Sequence, residues 1–225
     1  MKEIDKSDNI QRYETRLKEY GYDPQTLGWG KHSKQEVRFS VLGSLALALP
    51  KSSVLDIGCG FANLFAFLKL NGWKGNYTGV DIVPGLINEA KKNNPDLKLL
   101  IGDITNNEFS LDKHDFVIAS GVMNTALPSG ENEFHIKNML EHMFKLANKA
   151  VCADFMTTNV DFQQPGSWHT DPCWVLKEAL AITPRVSLRN DYMPYEFSLF
   201  LYKEIEVSER RVFEKYEEII PDFNI

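Results

Sequence analysis

Two aspartates and two glycines carry the spacing from which chemistry can be read in this chain. Asp56 stands two residues before Gly58-Cys59-Gly60, in a short apolar run of Val54, Leu55 and Ile57 bounded by Pro50 and Gly58. Such a run suits a buried parallel strand. Gly58 and Gly60 let the backbone turn tightly, and Phe61, Leu64, Phe65 and Leu68 then recur at helical spacing. A strand, a glycine turn and a helix N-terminus in that order place a ligand site at the carboxyl end of a strand. Asp81 follows about twenty residues later, where such folds set a carboxylate that hydrogen-bonds ribose hydroxyls. A dinucleotide fits poorly. Its fingerprint needs a glycine where Asn63 stands, and a carboxylate at position 56 repels a pyrophosphate and attracts a cation.

The stretch Asp56-Ile-Gly-Cys-Gly-Phe-Ala62 resembles the first motif of the class I S-adenosylmethionine-dependent methyltransferases, an acidic residue followed by alternating glycines, with Ala62 in the place of the last glycine. The resemblance implies S-adenosylmethionine as cofactor, with Asp56 holding the amino group of its methionine part and Gly58, Cys59 and Gly60 forming the turn beneath it. It also implies that Asp103, after the third strand, meets the adenine amino group, with Ile82 and Ile104 as apolar walls for the ring. Arg38 is a candidate partner for the cofactor carboxylate. Ser120 ends the fourth strand beside the expected sulfonium position. Leu27-Gly-Trp-Gly, Arg38-Phe39, Ala119-Ser-Gly-Val-Met-Asn, Thr170-Asp-Pro and Asp191-Tyr-Met-Pro-Tyr-Glu-Phe look like a group of small bacterial methyltransferases with mostly unassigned substrates.

The elements that must position these groups follow from periodicity. Residues 9–20 form an amphipathic helix with Asp8 able to cap it, and a second helix runs from about Ser33 to Leu49. Strands are expected at 77–82, 97–101, 115–120, 149–156, 185–189 and 195–202, with helices after Pro84, over 134–147 and from Pro172. The short link 190–194 makes the last two strands antiparallel neighbours. The expected fold is α/β: a doubly wound, seven-stranded Rossmann-like sheet with its last strand antiparallel and helices on both faces. Residues 1–49 form a helical arm or lid, 50–203 the cofactor-binding domain and 204–225 a charged tail.

At 225 residues and a formal net charge of −6, the chain suits one domain with decorations and offers no basic surface for a nucleic acid. Cys59, Cys152 and Cys173 are odd in number and widely spaced, which fits reduced thiols in a cytoplasm. No apolar run approaches a membrane span. His135 and His142 read as surface histidines of a helix, and no metal site is expected. A monomer or homodimer acting on a small molecule is the expected form.

Because the cofactor carries an activated methyl, the protein must mainly align an acceptor and exclude water. The loop after the fourth strand contributes Asn124, and the long polar segment 157–170 overhangs the same crevice. Tyr22, Trp29, Asn124, Trp168, Tyr192 and Tyr195 are the candidate substrate contacts. His169, Glu196 and Asp171 are the candidate bases, although Asp171 before Pro172 also suits a helix cap. Two rivals are a nicotinamide oxidoreductase, favoured by Asp81 but not by Asp56, and a catalytically inactive cofactor-binding module serving as a partner subunit.

Overall fold

A computed structural model describes residues 1–28 and 32–204. Trp29 and residues 205–225 of the charged tail therefore lie outside the described residues. One seven-stranded sheet has the order β3-β2-β1-β4-β5-β7-β6. Its parallel part contains β1 (Val54–Ile57), β2 (Tyr77–Asp81), β3 (Lys98–Ile101), β4 (His114–Ala119) and β5 (Ala147–Met156). β6 (Val186–Arg189) and β7 (Glu196–Tyr202) form an antiparallel hairpin, and β7 closes antiparallel onto β5.

Alternation along each strand sends successive side chains to opposite faces. Leu55, Ile57, Val117 and Phe197 join one core, under α6 (Asn132–Leu146) and α7 (Pro172–Ile182) through Ile136, Leu140, Val175 and Ala179. Val54, Phe116, Ile118 and Phe200 join the other, covered by α2 (His32–Leu42), α4 (Asn63–Leu70) and α5 (Pro84–Asn93) through Phe39, Leu42, Leu64, Leu68 and Ile87. Burial on both faces is what a parallel sheet of this hydrophobicity requires. The strand order reverses at β1, which pairs with β2 on one side and β4 on the other, so a crevice opens beyond their carboxyl ends.

Three details differ from the periodicity. α1 spans Glu3–Tyr20, so Asp8 lies inside it and pairs with Arg12 at 3.2 Å instead of capping it. The helix expected to reach Leu49 breaks at Gly43 into α2 and α3 (Ser44–Ala48). A Cβ at Gly43 would come 2.7 Å from the Phe39 carbonyl oxygen and 2.9 Å from Leu68 Cδ2, so helix packing there demands a bare backbone. α4 starts only at Asn63, because Ala62 takes a left-handed conformation with φ 61°. An alanine in that region is held against a cost of about 1–2 kcal/mol by the structure around it. Among the described residues no helix is long and apolar enough to cross a membrane.

Candidate active site

Beyond the switch point, β1, β2 and β3 deliver three carboxylates into one cavity. Asp56, Gly58, Cys59, Gly60, Asp81, Ile82, Asp103, Ile104 and Ser120 all line it. Local backbone geometry explains much of this convergence. Asp81 accepts from the Gly60 N–H through Oδ2 and from the Val83 N–H through Oδ1, each at 2.9 Å, so one carboxylate ties the glycine turn to the end of β2. The Gly58 and Cys59 N–H groups donate to the Val80 carbonyl at 2.8 and 3.1 Å. The amides of the turn are thus spent inside the fold and do not form an anion nest, which disfavours a pyrophosphate. Gly58 has φ 67°, and a Cβ there would come 2.4 Å from Val122 Cγ2, so the β4 loop can lie against the turn only over a glycine.

The electrostatics favour a cation. Burial lifts the Asp56 carboxyl to about 7, against the hydroxyl hydrogen bond from Tyr77, and the charge of Asp81 adds to the rise. Burial also raises Asp81, opposed by the N–H groups of Val83, Gly60 and Ile82. No lysine or arginine of the described residues lines this cavity. Asp56 and Asp81, buried without a basic counter-ion among the described residues, suit a ligand that brings ammonium or sulfonium charge. Asp103 accepts from the Thr105 N–H and hydroxyl, and from the Met1 ammonium at 3.3 Å. Burial would raise its carboxyl, but these donors hold it below the ordinary carboxylate range.

A second, more open cavity adjoins the first, and Tyr13, Leu27, Gly121 and Thr125 line both. Asn124, His169, Tyr195, Glu196 and Arg38 line this outer cavity. Arg38 therefore does not reach the carboxylate-lined cavity, where a partner of the cofactor carboxylate is expected. It pairs with Glu196, donating from Nε at 2.6 Å and again from Nη2, with both side chains buried. Glu196 is accordingly a counter-ion here, not a free base. Asp154 lies near this pair, accepting from the Ser120 hydroxyl at 2.8 Å and the Gly121 N–H at 2.6 Å. Burial, with the charge of Glu196, raises its carboxyl to about 6.

Other expected contacts are redistributed. His169 Nδ1 must carry the proton, because it donates to the Thr157 carbonyl at 2.8 Å, while Nε2 accepts from the Gln164 N–H at 3.3 Å. Asn124 accepts from the Met156 N–H and so pins the β4 loop to the end of β5. Asp171 is a helix cap: it is exposed, accepts from the Cys173 and Trp174 N–H groups, and lines neither cavity. Trp168 packs against the core under α6 and α7, and Tyr192 packs on the opposite core with its hydroxyl 2.7 Å from that of Ser198. Tyr22 is exposed and tilts against Phe61, outside both cavities.

Two residues of the site have no motif. Tyr13 reads as one more apolar position of α1, yet it stands between the cavities, hydrogen-bonded to Thr125. Burial and the charge of Asp81 push its hydroxyl up. His135 is not a surface histidine: it is 6% exposed, lines the carboxylate-lined cavity and has neither ring nitrogen hydrogen-bonded. Burial, then the Met1 ammonium, lowers it to about 4. Its place four residues before Met139, on the edge of the apolar stripe of α6, is the sequence signal that could have marked it. Among the described residues no group of His, Cys, Asp and Glu is placed to hold a metal ion.

Comparison with known proteins agrees with this geometry. Residues 54–148 match the methyltransferase domain family. A curated relative from Mycobacterium tuberculosis, named "Putative methyltransferase Rv1506c", is 27% identical over 161 residues, covering 67% of this chain and 93% of its own. Among solved structures, magnesium protoporphyrin IX methyltransferase from Synechocystis PCC 6803 with bound S-adenosylhomocysteine aligns over 89% of this chain and all of its own, with a TM-score of 0.63 at 16% identity. The complex of DhpI with S-adenosylhomocysteine aligns over 89% of this chain and 97% of its own, with a TM-score of 0.64 at 14% identity. The matched domain, the mycobacterial relative and the shared sheet make the chain similar to the class I S-adenosylmethionine-dependent methyltransferases, with a methyltransferase domain over residues 54–148.

Proposed function

We propose that the protein transfers a methyl group from S-adenosylmethionine to an O, N or S nucleophile of a small molecule held in the outer cavity. The observation that carries this reading is the shared wall at Tyr13, Leu27, Gly121 and Thr125, where a ligand of the carboxylate-lined cavity and one of the outer cavity would come face to face. When bound, the cofactor supplies a methyl whose bond to sulfur breaks, the electron pair staying on sulfur, as an acceptor lone pair forms the new bond.

The chain's own residues bind and align. With the cofactor bound, Asp81 would accept from its ribose hydroxyls, Asp56 would receive its amino group, and Ile82, Ile104 and Asp103 would hold its base. The Asn124 amide keeps the β4 loop, and with it Gly121, in register with β5. Residues 1–49 act as a lid, since α1 gives Asn9 and Tyr13 to the cofactor cavity and the lid would exclude water during transfer. A turnover screen with labelled S-adenosylmethionine over pools of small molecules tests the reading. Release of S-adenosylhomocysteine in at least one pool is expected; binding of NAD but not of S-adenosylhomocysteine would overturn it.

The Asp56 role has its own pH signature. A carboxyl titrating at about 7 is neutral below that value, and only its ionised form attracts an ammonium group. S-adenosylhomocysteine affinity should therefore fall as pH drops from 8 towards 6, approaching about tenfold per unit below the pKa. Calorimetric titrations across that range check this, and Asp56→Asn should flatten the profile.

A further inference from the structure

The outer cavity has a charge pattern opposite to that of the cofactor cavity. Arg12, Arg16 and Arg38 line it, against the carboxylates of Glu196 and Asp161, in a chain whose net charge is −6. Arg38 is committed to Glu196. Arg12 and Arg16 sit one turn apart on α1, so their side chains share a face. The partner of Arg12 is Asp8, a half-buried i,i+4 pair at the surface that an incoming anion can compete with. Arg16 takes part in no ion pair among the described residues. Its guanidinium lies beside Gly28, where Nη1 would be 2.9 Å from a Cβ.

From this geometry we infer that the methyl acceptor carries an oxyanion group, a carboxylate, phosphate or phosphonate, gripped by Arg16 with Arg12 at the α1 wall of the outer cavity. This inference rests on the methyl-transfer reading and names the substrate class of the same site. A guanidinium offers a planar fork that matches two oxygens of such a group. With the anion at Arg16, the acceptor's other end is directed to Tyr13 and Thr125, where the two cavities meet. The cofactor cavity, lined by carboxylates, would reject the same anion, so the two ligands are sorted by charge.

The test uses the full chain saturated with S-adenosylhomocysteine, titrated at constant ionic strength with inorganic phosphate, methylphosphonate and acetate, with methyl acetate as the neutral control. Calorimetry and the arginine Nε–H resonances report binding. Saturable 1:1 binding of at least one anion is expected, weakened about tenfold or more by Arg16→Met and less by Arg16→Lys, with no binding of the control. S-adenosylhomocysteine affinity should stay unchanged in the Arg16 variants. Absence of saturable binding by all three anions, or equal binding to wild type and Arg16→Met, an adventitious ion only, would overturn the proposal. The cofactor arm is separate: failure to bind S-adenosylhomocysteine at the outset defeats the methyl-transfer reading itself, whereas normal cofactor binding without anion binding defeats only the anionic acceptor.

Discussion

An Asp81→Ala protein should show no S-adenosylhomocysteine binding by calorimetry at concentrations that saturate the wild type. The side chain has two tasks. Its oxygens hold the Gly60 and Val83 N–H groups, and their remaining lone pairs face the cavity where the ribose would lie. Hydrogen bonds to a charged partner contribute about 1.5–3 kcal/mol each, so losing a pair of them weakens binding by at least about a hundredfold. Loss of the anchor adds to this, because the glycine turn is no longer held to the end of β2. Asp81→Asn keeps the shape and one good acceptor, so its affinity should fall between the two. An alanine variant with undiminished affinity would show that the cofactor sits elsewhere.

Arg38→Met should be the most destabilising single change at the site. Arg38 on α2 and Glu196 on β7 are both buried, and removing the guanidinium leaves the carboxylate without its counter-ion. Breaking a buried pair from one side costs about 3–5 kcal/mol. For a domain of this size about 2–4 °C of Tm accompanies each kcal/mol, so a fall of roughly 6–20 °C is expected in thermal unfolding. The double variant Arg38→Met with Glu196→Leu should recover most of that loss, since no charge is then stranded. If the double variant melts no higher than the single one, the pair is not what Arg38 contributes. Asp154 carries the consequence into the site: the Arg38 charge helps keep its carboxyl down, and that carboxylate holds Ser120 and Gly121 beside both cavities.

These two sites also separate what short stretches of chain encode from what they do not. The order and type of the strands, the antiparallel hairpin at the end of the sheet and the convergence of Asp56, Asp81 and Asp103 follow from local patterns. An apolar run before two glycines, or a carboxylate closing a strand, has only one way to face once the sheet is parallel and doubly wound. Asp171 is the converse case: a residue that could do chemistry is consumed locally as the cap of α7.

The outer cavity depends on contacts between elements far apart in the chain. Arg38 and Glu196 lie 158 residues apart, and each alone looks like a solitary charge. Their union is decided by how α2 lies over the sheet. Tyr13 and His135 look like ordinary positions of helical stripes, and only the rotation and depth of α1 and α6 turn them into the cavities. Helix periodicity states which residues share a face; it carries no information on which part of that face meets protein and which meets an open cavity. By itself, then, the sequence determined the fold, the cofactor class and the three carboxylates, because backbone turns and strand ends are short-range features. Tertiary packing alone decided which arginine of the outer cavity is spent in a buried ion pair and which is not, because a charge finds its partner through space and not along the chain.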